Sequence, residues 1–119
     1  MKPPVFTHHA CRTVEEAAEL LGSSEEAKVI SGGQSLVPMM NLRLANPAHL
    51  VDLNPIPGLD RIEAGSGTLS IGATARQHDV ERSAAVTSAA PLITAALAHV
   101  GHPQIRNRGT VVGSLCHAD

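Results

Sequence analysis

The spacing of apolar positions changes several times along this chain, and each change predicts an element. Val14, Ala17, Ala18 and Leu21 recur at i, i+3, i+4 and i+7, which lays an apolar stripe along one face of a helix. Thr13 and Glu16 make a capping-box pattern at its start, and Gly22 is the expected stop. Short apolar runs at residues 28–30 and 50–53 predict buried strands. Between them Pro38 is tolerated in a first turn, so a short helix is expected over residues 38–42. Strand, helix and strand in that order form a βαβ unit with parallel strands. Val5-Phe6-Thr7 predicts a further short strand ahead of it.

After Pro55 and Pro57 the rhythm shortens to alternation. Residues 61–64 and 68–71 flank Gly65-Ser66-Gly67 and predict a β-hairpin. Thr74-Ala75-Arg76-Gln77 is a second capping-box pattern, opening a short helix towards Arg82. Leu92, Ile93, Ala96, Leu97 and Val100 place a stripe on a helix that Gly101 ends. The last stretch, residues 102–119, predicts a glycine-bearing turn around Val111-Val112. The division this suggests is an N-terminal βαβ lobe over residues 1–53 and an α+β lobe over residues 54–119.

Composition narrows the function classes. Apolar residues make up 43% of the 119 residues, and Phe6 is the one aromatic residue. Nine Lys and Arg stand against eleven Asp and Glu, which leaves no electrostatic footprint for nucleic acid. The longest mostly apolar stretch, residues 89–100, contains Thr94 and His99 and is too short to span a bilayer. No apolar segment follows Met1-Lys2-Pro3-Pro4 to make a signal peptide. Cys11 and Cys116 make no disulfide framework. The expectation is a cytoplasmic protein.

Two stretches carry candidate chemistry. Ser31-Gly32-Gly33-Gln34-Ser35-Leu36 follows the apolar pair Val29-Ile30. Adjacent glycines let successive main-chain N–H groups converge on an anion, and Ser35 adds a hydroxyl. A lone glycine pair is also an ordinary strand-to-helix turn. Thr110-Val111-Val112-Gly113-Ser114 repeats the combination of small residues and hydroxyls, and together the two are candidates for the two phosphates of a dinucleotide. Gly65-Ser66-Gly67 lacks the third glycine of a dinucleotide fingerprint, and no phosphate-loop lysine is present. His8-His9-Ala10-Cys11 and Cys116-His117 lack the paired spacing of a structural zinc site. Ser35 and Cys116 stand in no nucleophile elbow, so no catalytic residue is assigned. Arg106 and Arg108 either solvate a turn or pair with phosphate or a partner's carboxylates.

Ser31-Gly32-Gly33-Gln34-Ser35-Leu36-Val37-Pro38-Met39-Met40-Asn41-Leu42-Arg43 resembles the first FAD loop of the flavin subunits of molybdenum hydroxylases. Leu50-Val51-Asp52-Leu53, Ile71-Gly72-Ala73-Thr74 and Pro103-Gln104-Ile105-Arg106-Asn107-Arg108-Gly109 are similar to further stretches of that family. The tail, Thr110-Val111-Val112-Gly113-Ser114-Leu115-Cys116-His117-Ala118-Asp119, resembles its second loop. The group includes carbon monoxide dehydrogenase medium subunits and the flavin domain of xanthine dehydrogenase. The resemblance implies an α+β architecture: the two-lobed PCMH-type FAD-binding fold, with a βαβ N-terminal lobe and an incomplete second α+β lobe. It also implies an oxidoreductase subunit that passes electrons from iron–sulfur clusters of a partner subunit to an external acceptor. A molybdopterin-containing large subunit would oxidise the organic substrate. Carried over by position, Ser31, Gly32, Gly33, Gln34 and Ser35 hold the FAD pyrophosphate. Thr110, Val111, Val112, Gly113 and Ser114 do so from the second loop, while Val29, Ile30 and Leu36 line the cofactor's path.

Two departures matter. Val112 stands where the family has glycine, and a β-branched residue is disfavoured at positive φ. The chain stops at Asp119 where the family continues, so it is expected to be an N-terminal portion. Both departures leave open an alternative: an assembly or interaction module that no longer binds FAD.

Overall fold

The computed structural model describes all of residues 1–119. They fall into two units, residues 1–57 and residues 58–119.

The first unit is built on three four-residue strands. They are β1 (Thr7–Ala10), β2 (Ala27–Ile30) and β3 (His49–Asp52). All pair in parallel in the order β1-β3-β2, with β3 in the middle. Parallel neighbours require a crossover, and the helices α1 (Val14–Ser23) and α2 (Leu36–Asn41) supply it. The first strand thus lies later than the expected residues 5–7. Val5 is 98% exposed and the pairing begins where the Thr7 N–H meets the Ala48 carbonyl at 2.8 Å. Strand alternation sends the two adjacent histidines to different partners. His8 Nε2 lies 3.0 Å from Asp52 Oδ2, and His9 Nε2 lies 3.1 Å from His49 Nδ1.

The predicted cap of α1 is present: Thr13 Oγ1 accepts from the Glu16 N–H at 3.1 Å. Glu16 itself reaches back to the Arg12 N–H at 2.8 Å. Only Ala17 of the expected stripe is buried, while Val14 and Leu21 are exposed and the helix passes through Gly22 to Ser23. Strands this short cover only the middle of a ten-residue helix. The same geometry corrects the reading of β2 as a buried strand. Because β3 takes the centre, Leu50 and Val51 are buried, whereas Lys28 and Val29 on the edge strand are exposed. Cys11, Met40, Val51, Leu50 and Ile56 form most of the remaining interior.

The second unit opens with the predicted hairpin, β4 (Ile62–Gly65) and β5 (Thr68–Ile71), paired antiparallel. Its two-residue turn, Ser66-Gly67, has φ of 51° and 77°, the positive pair that matches strand twist in a type I′ turn. Five short helices follow: α3 (Gln77–Arg82), α4 (Ala84–Ala89), α5 (Pro91–Leu97), α6 (Pro103–Arg106) and α7 (Val111–His117). The Thr74 cap is not formed. Arg76 bridges Thr110 in extended pairing, so the backbone turns helical only at Gln77, and Thr74 is buried. Ala75, Val80, Val86 and Leu97 make the core, with Ile62, Leu69, Ile71, Ile93 and Val111 packed against it. Leu92, assigned to the α5 stripe by spacing, is 79% exposed. No helix is long and apolar enough to cross a membrane.

Candidate functional site

In the first unit the chain leaves β2 at Ile30 and enters α2 at Leu36, and residues 31–35 form the connecting loop. Gly33 has φ of +72°, which a residue with a side chain adopts only at a cost. The main-chain N–H groups of residues 32–36 donate to no acceptor within the chain, while the Gly33 and Ser35 carbonyls accept from Val37 and Met39. Five consecutive unspent donors around a left-handed glycine suit an anion. Gln34 folds back on the loop, its Nε2 donating to the Gly32 carbonyl at 3.2 Å. Ser35 is exposed, and its side chain makes no capping bond to α2. Val29 lies on the exposed edge strand; Ile30 and Leu36 are half-buried.

A half-buried carboxylate braces this loop from β3. Asp52 Oδ1 accepts from the Asn54 main-chain N–H at 2.9 Å and from Asn54 Nδ2 at 2.6 Å. Asn54 Nδ2 also donates to the Ser31 carbonyl at 2.9 Å. Burial opposes the charge on Asp52, but the hydrogen bonds from Asn54 and His8 outweigh it and hold the carboxyl below its ordinary range. A depressed folded pKa stabilises the fold fully above the unfolded value of about 4, and the contribution is lost as pH falls through the folded value. Asp52→Asn weakens these partly solvated hydrogen bonds and is expected to cost about 1 kcal/mol or less at neutral pH. Urea midpoints measured from neutral to acid pH should fall less steeply for the variant, and parallel profiles would contradict this.

In the second unit the other candidate loop is not a turn but the start of α7. Thr110, 3% exposed, is the N-cap, and its Oγ1 accepts from the Gly113 N–H at 3.1 Å. Val111 packs against the core. Val112 is helical and is not among the residues at positive φ. The steric objection to a β-branched residue there is thus removed, because a helical φ suits valine. Ser114 is exposed, and its Oγ accepts from Gln77 Nε2 at 2.9 Å. Of the nearby arginines, Arg106 spends its side chain within the chain, and Arg108 is exposed. Arg106 turns inward to Glu81, with Nε 2.9 Å from Oε2, while the Arg108 carbonyl accepts from Arg76 Nη1 at 2.7 Å.

Sequence reasoning missed Asp52, Asn54 and Gln77 as supports of these loops. Asp52-x-Asn54 ahead of Pro55 carries a recognisable turn signal. Gln77 carries none, since its partner Ser114 is 37 residues away.

A parallel βαβ unit whose strand-to-helix loop leaves a row of amides without acceptors defines an α/β lobe with donors to spare for an anion. The chain is a member of the family described as "FAD binding domain in molybdopterin dehydrogenase", whose model matches residues 4–119, and its cofactor is accordingly FAD. It is 46% identical over 120 residues to the 6-hydroxypseudooxynicotine dehydrogenase complex subunit alpha of Paenarthrobacter nicotinovorans, covering 100% of this chain and 40% of that one. It is 44% identical over 118 residues to the carbon monoxide dehydrogenase medium chain of Hydrogenophaga pseudoflava, covering 98% and 41%. The solved structure of carbon monoxide dehydrogenase from that organism superposes with a TM-score of 0.97, covering 100% of this chain and 42% of that one. The chain thus spans about two fifths of the length of the curated relatives it matches.

Proposed function

We propose that this chain is part of the FAD-binding medium subunit of a molybdenum hydroxylase-type oxidoreductase. The subunit relays electrons from iron–sulfur clusters of a partner subunit to an external acceptor, beside a molybdopterin-containing large subunit. The observation that carries this reading is the row of five unspent amides at residues 32–36 around Gly33 at φ +72°. The names of the relatives, a dehydrogenase complex subunit and a medium chain, support the hetero-oligomer. Cys11 and Cys116, both free, fit a cytoplasmic setting.

FAD supplies the redox chemistry when bound; the chain's residues bind and orient it. Ser31, Gly32, Gly33, Gln34 and Ser35 offer main-chain N–H groups and hydroxyls to the pyrophosphate. Val29, Ile30 and Leu36 give apolar contact beside them. On the second unit Thr110 and Gly113 hold the start of α7, Val111 anchors it to the core, and Val112 and Ser114 face the cofactor. With Val112 helical, the interaction-module alternative loses the steric argument that favoured it.

Titrating the purified chain with FAD should give a flavin spectrum at one equivalent in the protein peak of a sizing column. A Cβ on Gly33 would lie 3.2 Å from Val37 Cγ2 and 3.4 Å from Ile30 Cδ1, on a backbone that costs about 1–2 kcal/mol for an L residue. Gly33→Val is expected to weaken FAD binding about tenfold or more. A folded chain that takes up no flavin would refute the proposal.

A further inference from the structure

We infer that Gln77 is a positioning residue for FAD, holding the Ser114 hydroxyl in the orientation that donates to a phosphate oxygen. The inference rests on the reading that Ser114 faces the cofactor's pyrophosphate.

Gln77 is 3% exposed at the start of α3 and grips the second loop on both sides of Thr110. Its main-chain N–H donates to the Gly109 carbonyl at 2.8 Å, and its Nε2 donates to Ser114 Oγ at 2.9 Å. A hydroxyl has one hydrogen and two lone pairs. The amide of Gln77 takes one lone pair of Ser114, so the hydroxyl hydrogen must point elsewhere. A helical serine commonly returns that hydrogen to the carbonyl four residues back. Here the Thr110 carbonyl accepts from the Ser114 main-chain N–H at 3.2 Å, and the Ser114 hydroxyl donates to no group in the chain. Ser114 is exposed. Its hydrogen is left for an acceptor from outside, which is what a phosphate oxygen requires.

Folding alone does not explain Gln77. Its Oε1 is buried without a partner, and a bare buried acceptor offsets the gain from one neutral hydrogen bond. The absent side chain of Gly109 leaves the space for it, since a Cβ there would lie 2.9 Å from Gln77 Oε1. A methionine of similar length would fill the same pocket with no unsatisfied atom. What methionine lacks is the donor that turns the Ser114 hydroxyl outward.

The test is a double-mutant cycle on the full chain, read by FAD titration and by thermal melting without FAD. Gln77→Met and Ser114→Ala should each weaken FAD binding about tenfold, and the double variant should be no weaker than either. Gln77→Met should melt at or above the unaltered chain. A Gln77→Met chain that binds FAD normally, loses affinity additively with Ser114→Ala, or fails to fold would overturn the inference. Failure of the unaltered chain to bind FAD would instead overturn the proposed function.

Discussion

Replacing Gly72 with alanine is expected to destabilise the second unit by about 3 kcal/mol or more. Gly72 follows β5, where the chain doubles back against Leu59 and Arg61. Its N–H donates to the Arg61 carbonyl at 2.8 Å, and the Thr74 N–H donates to the Leu59 carbonyl at 2.9 Å. A Cβ on Gly72 would overlap the Leu59 carbonyl oxygen and carbon, all main-chain atoms. No rotamer change relieves a contact with backbone, so the two segments must part and both hydrogen bonds must lengthen. Urea unfolding should show a lower midpoint with an unchanged slope. A loss below about 1 kcal/mol would mean that the connection yields without cost, against the close-packing argument.

Arg106→Met is expected to cost about 2–3 kcal/mol. The Arg106 side chain is 13% exposed and has three partners. Nε donates to Glu81 Oε2 at 2.9 Å, and Nη1 donates to the Val100 and Gly101 carbonyls at 3.1 and 3.4 Å. It therefore ties α6 to α3 and to the chain end that leaves α5. Methionine keeps much of the volume but leaves Glu81, 23% exposed, without its cation. Stranding one member of a largely buried pair costs more than the pair contributes. Glu81→Gln should cost less, because an amide oxygen still accepts from the guanidinium. The loss should persist at high salt, since burial limits screening. A difference below about 0.5 kcal/mol that disappears with salt would mark an ordinary surface pair.

Both effects lie in stretches whose local pattern said something else. Ile71-Gly72-Ala73-Thr74 reads as the end of a hairpin followed by a cap, yet the extended pairing of Arg76 with Thr110 delays the helix to Gln77. Arg106 and Arg108 read as either solvating a turn or pairing with phosphate or a partner's carboxylates, and an internal partner for Arg106 is not among these readings. The partner of Arg106 is 25 residues earlier. α4 went unpredicted although Ser83 caps it through the Val86 N–H at 3.3 Å. Its run of alanines gives almost no periodic signal.

The sequence by itself determined the local devices and the family. The Thr13 cap, the Ser66-Gly67 turn, the order strand–helix–strand and the glycine loop at residues 31–35 all depend on residues within a few positions of each other. Short-range sterics and hydrogen bonding decide such features. Only the tertiary structure decided that β3 is central and β2 an edge, that Val112 is helical, and that Asp52 with Asn54 and Gln77 brace the candidate loops. Which face is buried, and which buried polar atom finds a partner, depends on groups tens of residues away. Spacing along one segment carries no record of them.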